Sequence, residues 1–265
     1  MFAVFFARFT YFWNMFKKQD RQNIILKEVS IHNRVLLKDL AQMLNVSNDT
    51  VRRDVIELDK NGLLKKVHGG AVANGYKIYS SNSSNNVYAA AKKAIIAQKA
   101  VQLIDSDSII LISGGTTNLE LVRHLPEDLR ATFFTPSLPI AIELLNHPNI
   151  DVIFIGGKLS REAQISYGGS AINTLKEIKV DLCFLGTGYL DAMHGLTEFD
   201  WEVVQMKKAM ISASRKIISL TISEKLNSTH RYKIGDINII DVLITELEHN
   251  AEILKPYADQ LTSII

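Results

Sequence analysis

The sequence predicts an α/β protein of two parts: an N-terminal winged helix-turn-helix and a C-terminal Rossmann-like domain built on a parallel sheet. Three observations carry that prediction. Two apolar stripes at three- and four-residue spacing flank a short polar break, Asn45-Val46-Ser47, the pattern of two helices meeting in a tight turn. Short β-branched runs alternate with helix-length stretches over the second half of the chain, the pattern of a sheet covered on both faces. Between the two parts lies Ser80-Ser81-Asn82-Ser83-Ser84-Asn85-Asn86, which has the texture of a linker. A chain of 265 residues is comfortable for two domains.

In chain order, residues 1–16 come first and stand apart. They are dense in aromatics with Arg8 among them. They fall short of the ~20 apolar residues of a membrane span and lack the basic start and small-residue cleavage site of a signal peptide. They are read as a non-native or disordered extension, with Met15 as the expected start. A membrane-surface anchor or an extra packing arm are the alternatives. The protein is expected in the cytoplasm, without a membrane partner.

Residues 17–73 form the expected winged helix-turn-helix. Ile24, Ile25, Leu26 and Val29 suit a first helix from Asp20 to Ile31. Leu36, Leu37, Leu40, Ala41 and Leu44 make the core-facing stripe of a second. Ser47 is placed to cap a third helix, whose inner stripe is Val51, Val55 and Leu58. Asn61-Gly62 ends it. Residues 63–71 read as a ribbon of two strands and a turn. Residues 74–86 are the linker, and 87–265 the second domain. Its strands are expected at 109–112, 132–135, 152–155, 182–185, 217–222 and 242–245. Helices are expected at 118–125, 138–146, 171–178 and 201–213. Cys183 is the only cysteine. No disulfide can form within the chain and no metal ligands cluster, so a buried, inert thiol is expected.

Charge is uneven. Up to Ala73 there are twelve basic and seven acidic residues, a surplus of five, so with a net charge of +2 the rest carries −3. A basic head suits an anionic partner. In a helix-turn-helix the second helix enters the major groove and its N-terminal side chains meet base edges. Arginine suits guanine or phosphate, and asparagine suits adenine. The candidate DNA contacts are therefore Ser47, Asn48, Thr50, Arg52 and Arg53, with Lys65, Lys66 and His68 on a wing beside the backbone. The competing reading is a surface ion pair, Arg53 with Glu57 one turn on. The ordered run Val46-Ser47-Asn48-Asp49-Thr50-Val51-Arg52-Arg53-Asp54-Val55, then Glu57-Leu58, Gly62-Leu63 and Val67-His68-Gly69-Gly70-Ala71, closely resembles the DeoR family of bacterial regulators. The resemblance extends over nearly everything after Met15.

In the second domain, Ser113-Gly114-Gly115-Thr116-Thr117 follows an apolar strand and opens a helix. Free amides at a helix start, with hydroxyls nearby, can cradle a phosphate; a plain strand-to-helix turn is the competing reading. Thr135-Pro136-Ser137 and Gly156-Gly157-Lys158 end strands in a similar way. Candidate ligand contacts are Ser113, Gly114, Gly115, Thr116, Thr117, Thr135, Ser137, Gly156, Gly157 and Lys225. Lys225 enters through the resemblance, which implies a sensor domain of the ribose-5-phosphate isomerase/CoA transferase fold. Gly195-Leu196-Thr197 matches a second element of that family. Around Lys225 the sequence departs from it: Ile222 stands where the family has aspartate, and Leu226 where it has phenylalanine. Lys225 can pair with a phosphate or be an exposed helix-start residue.

Sugar-phosphate isomerisation needs a carboxylate base. After Phe184-Leu185-Gly186-Thr187-Gly188-Tyr189 no acid appears until Asp191, and Asp191, Glu198 and Asp200 read as loop acids; Glu202 reads as facing a helix or the ligand. The expectation is a regulator rather than an enzyme: a repressor of a carbohydrate operon, with no cofactor and no metal. It is expected to bind a double-stranded DNA operator as a homodimer or homotetramer and to be released by a phosphorylated sugar. The alternative is a sugar-phosphate isomerase or deaminase carrying a DNA-binding head.

Overall fold

The computed structural model describes residues 17–73, 88–161 and 163–265. The extension 1–16, the linker 74–86 and residue 87 lie outside the described residues. The chain falls into two compact units, divided between residues 80 and 81.

The first unit runs α1 (Lys18–His32), β1 (Arg34–Leu36), α2 (Leu37–Met43), α3 (Asn48–Lys60), β2 (Lys65–Val67) and β3 (Gly70–Val72). Ile25, Val29, Leu40, Val51, Val55, Leu58 and Leu64 form its core. The ribbon expected from the sequence is two strands of a three-stranded antiparallel sheet in the order β1-β3-β2. The third strand was hidden because Leu36 and Leu37 continue the apolar spacing of α2. Gly70 is required here for space: a Cβ on it would lie 2.2 Å from the Val35 carbonyl oxygen of β1.

The second unit runs α4 (Ala90–Val101), β4 (Ile109–Ile112), α5 (Thr116–Arg123), β5 (Ala131–Thr135), α6 (Leu138–Leu144), β6 (Ile150–Phe154), β7 (Lys158–Leu159), β8 (Ser166–Tyr167), α7 (Gly169–Lys176), β9 (Val180–Gly186), β10 (Tyr189–Asp191), β11 (Gly195–Glu198), α8 (Trp201–Ser212), β12 (Ser214–Leu220), β13 (Tyr232–Gly235), β14 (Val242–Ile244), α9 (Lys255–Ala258) and β15 (Ser263–Ile264). Seven strands form one parallel sheet in the order β15-β14-β12-β9-β4-β5-β6. Side chains alternate between its faces. Leu111, Cys183, Leu185, Ile217 and Leu243 pack with α7 and α8. Ile110, Ile112, Phe184, Ile218 and Ile244 pack with α4, α5 and α6. Burial on both sides explains the unbroken apolar runs of these strands. Cys183 is buried, and burial pushes its thiol up to about 12, so it stays an unreactive thiol at neutral pH.

Several elements depart from the sequence reading, among them β7, β8, β10, β13 and α9, which are all short. α4 was not anticipated; its inner face includes the small Ala97 and Ala100, which mark an amphipathic stripe weakly. β15 is too short to show a period. The segment read as a loop around Glu198 contains β11, the middle strand of an antiparallel sheet ordered β10-β11-β13. All four of its residues are buried, so no alternation betrayed it.

The sheet order has a topological switch point. From β4 the chain builds outward through β5 and β6, then returns to β9 on the other side of β4 and continues to β12, β14 and β15. The connections therefore diverge between β4 and β9, and open α/β sheets bind ligands beyond the carboxyl ends of the strands at such a point.

Candidate functional site

In the first unit, α3 has two faces. Val51, Asp54, Val55 and Leu58 are buried. Ser47, Asn48, Arg52 and Arg53 are exposed, and Thr50 is half-buried. Ser47 caps the helix: the Thr50 amide donates to Ser47 Oγ at 3.2 Å, and the two hydroxyl oxygens lie 2.9 Å apart. The ion pair that spacing allows between Arg53 and Glu57 is not formed among the described residues. Glu57 is held instead by Lys18 of α1 at 2.5 Å, which keeps its carboxyl below the usual range. Both arginines are thus left to solvent at the start of a helix whose N-terminus is also electropositive. On the wing, Lys65, Lys66 and His68 are exposed. The Lys66 amide donates to Asp59 Oδ1 at 3.2 Å, tying the wing to the end of α3.

One partner of this motif could not be read from charge alone. Asp54, next to Arg53, is buried and meets Arg21 of α1 through two bonds, Nε to Oδ2 at 2.5 Å and Nη2 to Oδ1 at 3.1 Å. A forked pair of this kind fixes angle as well as distance, so it sets the presentation of α3 against α1.

In the second unit the predicted turn sits beyond β4, beside β9. Gly115 has φ 126° and begins α5, a conformation in which an L side chain is strained. Leu119 is bonded back to Gly115, so the amides of Thr116, Thr117 and Asn118 precede the first intrahelical bond and can turn to an anion. The hydroxyl of Ser113 has another task. Ser113 Oγ accepts from the Gly186 amide at 2.6 Å and from Asn118 Nδ2 at 3.1 Å. Asn118 is fully buried and also donates to the carbonyls of Ser113 and Phe184. Together they seal the β4–β9 seam under the cradle.

Thr135 is likewise internal, donating to the Ile112 carbonyl at 2.8 Å and accepting from the Ser137 amide. Buried Ser137 lies against the cradle: a Cβ on Gly114 would meet Ser137 Oγ at 3.2 Å and Ile165 Cγ2 at 3.0 Å. Gly156 and Gly157 follow β6 on the outer edge. A Cβ on Gly157 would lie 2.7 Å from the Tyr167 carbonyl oxygen, so this turn packs on the β7–β8 hairpin. The structure therefore brings Ser113–Thr117, Thr135 and Ser137 together and ties Gly157 to the hairpin.

Lys225 ends a short 3-10 turn, Ser223–Lys225, that follows β12. It is not the exposed residue the sequence allowed. Its ammonium is enclosed and donates to the Thr187 carbonyl at 2.6 Å, one residue from the Gly186 amide held by Ser113. Burial, reinforced by the ammoniums of Lys93 and Lys207 and opposed by Glu198, lowers its pKa to about 7. Lys93 of α4 donates to the Tyr88 carbonyl at 2.6 Å, and burial lowers it to about 8. Both ammoniums are thus held below their ordinary range, chiefly by burial. Lys93 was missed because α4 was missed.

The acids are committed elsewhere. Buried Glu198 pairs with Lys207 at 2.8 Å and accepts from the Phe199 amide; burial pushes its carboxyl up, and the pairing outweighs that and holds it low. Its oxygen lies 2.6 Å from where a side chain on Gly188 would begin. Asp191 accepts from the amides of Met193 and His194 and from the His194 ring. Asp200 caps α8, and Glu202 is exposed in its first turn. Among the described residues no group of three or more His, Cys, Asp or Glu is arranged to hold a metal. No helix among them is long and apolar enough to cross a membrane.

Comparison with known proteins gives two family matches, a DeoR-like helix-turn-helix domain over residues 21–76 and a DeoR C terminal sensor domain over residues 88–247. The HTH-type transcriptional regulator GolR of Listeria innocua serovar 6a is 30% identical over 91% of this chain and 95% of its own length. The HTH-type transcriptional repressor GlcR of Bacillus subtilis strain 168 is 30% identical over 86% of this chain and 88% of its own. Among solved structures, ribose 5 phosphate isomerase A from Neisseria gonorrhoeae aligns with a TM-score of 0.39 at 18% identity, over 51% of this chain and 53% of that one.

Proposed function

The chain belongs to the DeoR family of DNA-binding transcriptional regulators, and from that premise we propose that it is a repressor of a carbohydrate operon, released by a phosphorylated sugar. The observation that carries the ligand class is the divergence of the sheet, where the end of β9 is bonded on one side by Ser113, just before α5, through the Gly186 amide, and on the other by the Lys225 ammonium through the Thr187 carbonyl. Free amides and a partly buried cation suit a phosphate dianion. The ligand contacts are the amides and hydroxyls of Thr116 and Thr117, the backbone of Gly114 and Gly115, and the ammoniums of Lys225 and Lys93. Ser113, Thr135, Ser137 and Gly156-Gly157 act by shaping that backbone. The operator is read by Asn48, Arg52 and Arg53, with Ser47, Thr50, Lys65, Lys66 and His68 on the phosphates. Residues 17–73 form the head, 74–86 the linker and 87–265 the sensor, working in the cytoplasm.

A non-enzymatic role is supported by the acids: the buried carboxylate beside Lys225 is neutralised by Lys207, which suits it poorly to proton abstraction. The test is a double variant, Thr116→Ala with Thr117→Ala. It should bind DNA from its own upstream region as the parent does, yet need more of the releasing sugar phosphate in a gel-shift titration. An unchanged titration sinks the cradle assignment. Steady turnover of any of the same sugar phosphates sinks the pure-sensor reading.

A further inference from the structure

The first turn of α4 is bonded to the turn carrying Lys225 by a charge cluster whose Glu224 also acts on the neighbouring Lys93 ammonium. Lys92 Nζ lies 2.6 Å from Glu224 Oε1 and 3.1 Å from Glu246 Oε1, and donates to Ser223 Oγ at 3.2 Å. Glu246, just after β14, accepts from the Ser223 amide at 3.0 Å and from the Ser223 hydroxyl. The Tyr88 hydroxyl reaches Glu224 Oε1 at 3.5 Å. Lys93, the neighbour of Lys92, donates to the Tyr88 carbonyl and shares the electrostatics of Lys225. Residues 88–93 thus carry bonds to Ser223 and Glu224 and, in Lys93, an ammonium that acts on the ammonium of Lys225. In sequence they are also the segment by which the chain enters the sensor from the head.

We propose that the Lys92–Glu224–Glu246 clamp couples occupancy of the anion site to the entry of the chain into α4, with Lys92 as the coupling residue. This rests on the anion-site reading above. The physical basis is a competition. An anion near Lys93 and Lys225 relieves the repulsion between them and is a stronger acceptor than the neutral Tyr88 and Thr187 carbonyls that these ammoniums now bond. Drawing Lys93 toward it weakens its hold on Tyr88; drawing Lys225 moves the 223–225 turn. Lys92, fixed to that turn by two carboxylates, transmits the movement to α4. Such coupling is reciprocal, so restraint at the entry segment alters anion affinity in return.

Hydrogen exchange on the full-length protein, with and without saturating inorganic phosphate, tests this. In the parent chain phosphate should slow exchange in residues 113–119 and change it in 88–99. Lys92→Met and Glu224→Gln should keep the first response and lose the second, and Lys92→Arg should keep both. Should Lys92→Met loosen α4 by itself, Glu224→Gln, which keeps the lysine stem in place, decides. The coupling is overturned if Glu224→Gln retains the change in 88–99, or if the parent responds only in 113–119. A parent chain that responds in neither region overturns the anion site itself, and the coupling with it.

Discussion

Arg52 and Arg53 share the outer face of α3 with Asn48, whereas Asp54, the next residue, turns inward onto Arg21. A helix advances about 100° per residue, so three adjacent charged residues divide into two readers and one anchor. Arg52→Ala and Arg53→Ala should each leave the fold intact and cost ~1–3 kcal/mol of discrimination between the operator and a base-substituted site, if each makes a paired guanine contact. Competition binding measures it, and unchanged discrimination in both would remove α3's readers. Lys225 makes the same point for the sensor. Its charged form is the one that holds an anion, and its pKa of about 7, with about 8 for Lys93, sets the window. Affinity for a sugar phosphate should fall at least about tenfold between pH 7 and pH 9, where the ligand itself stays a dianion. Unfolding cannot imitate this. A lysine whose pKa is lowered from the ordinary 10.5 binds fewer protons folded than unfolded, so its contribution to stability rises with pH over that range. Calorimetry showing pH-independent affinity would contradict the role of the two ammoniums.

At the scale of elements, a buried ion pair ties α1 to α3 in the head. Removing one partner of such a pair leaves the other charge buried and uncompensated. Asp54→Ala should therefore destabilise the head by ~3–5 kcal/mol, seen as a separate early transition in denaturant while the sensor's transition is unmoved. A single unshifted transition would mean the pair is dispensable. The helix spacing already marked α2 and α3, and Ser47 marked the cap, because these signals are local. Asp54 as an anchor was not legible: its partner is 33 residues away, and a carboxylate beside two arginines reads equally well as surface. β11 and α4 were lost for a related reason. Full burial removes the alternation that identifies a strand, and alanine on an inner face weakens the contrast that identifies a helix.

At the scale of the molecule, a single helix-turn-helix reads a half-site, and paired heads read the palindrome. The full-length chain should therefore sediment as a dimer or tetramer at the concentration where it binds its operator; a monomer there would contradict symmetric reading. The sequence by itself determined the two-part division, the reading helix, strands β4, β5, β6, β9, β12 and β14 with helices α5 to α8 among them, and the glycine-rich turn after β4. All of these are written in contiguous residues through periodicity, capping and backbone permissiveness. Only the tertiary structure decided which strand ends meet. Parallel pairing joined β4 to β9, so that the Ser113 amide donates to the Phe184 carbonyl across 70 intervening residues. It turned Ser113 from a ligand hydroxyl into a seam, took Glu198 out of solvent, and gathered Lys93 and Lys225 from opposite ends of the sensor. The physical reason is that a low pKa, a committed hydroxyl and a shared charge come from surroundings, and surroundings are made by contacts between residues far apart in the chain.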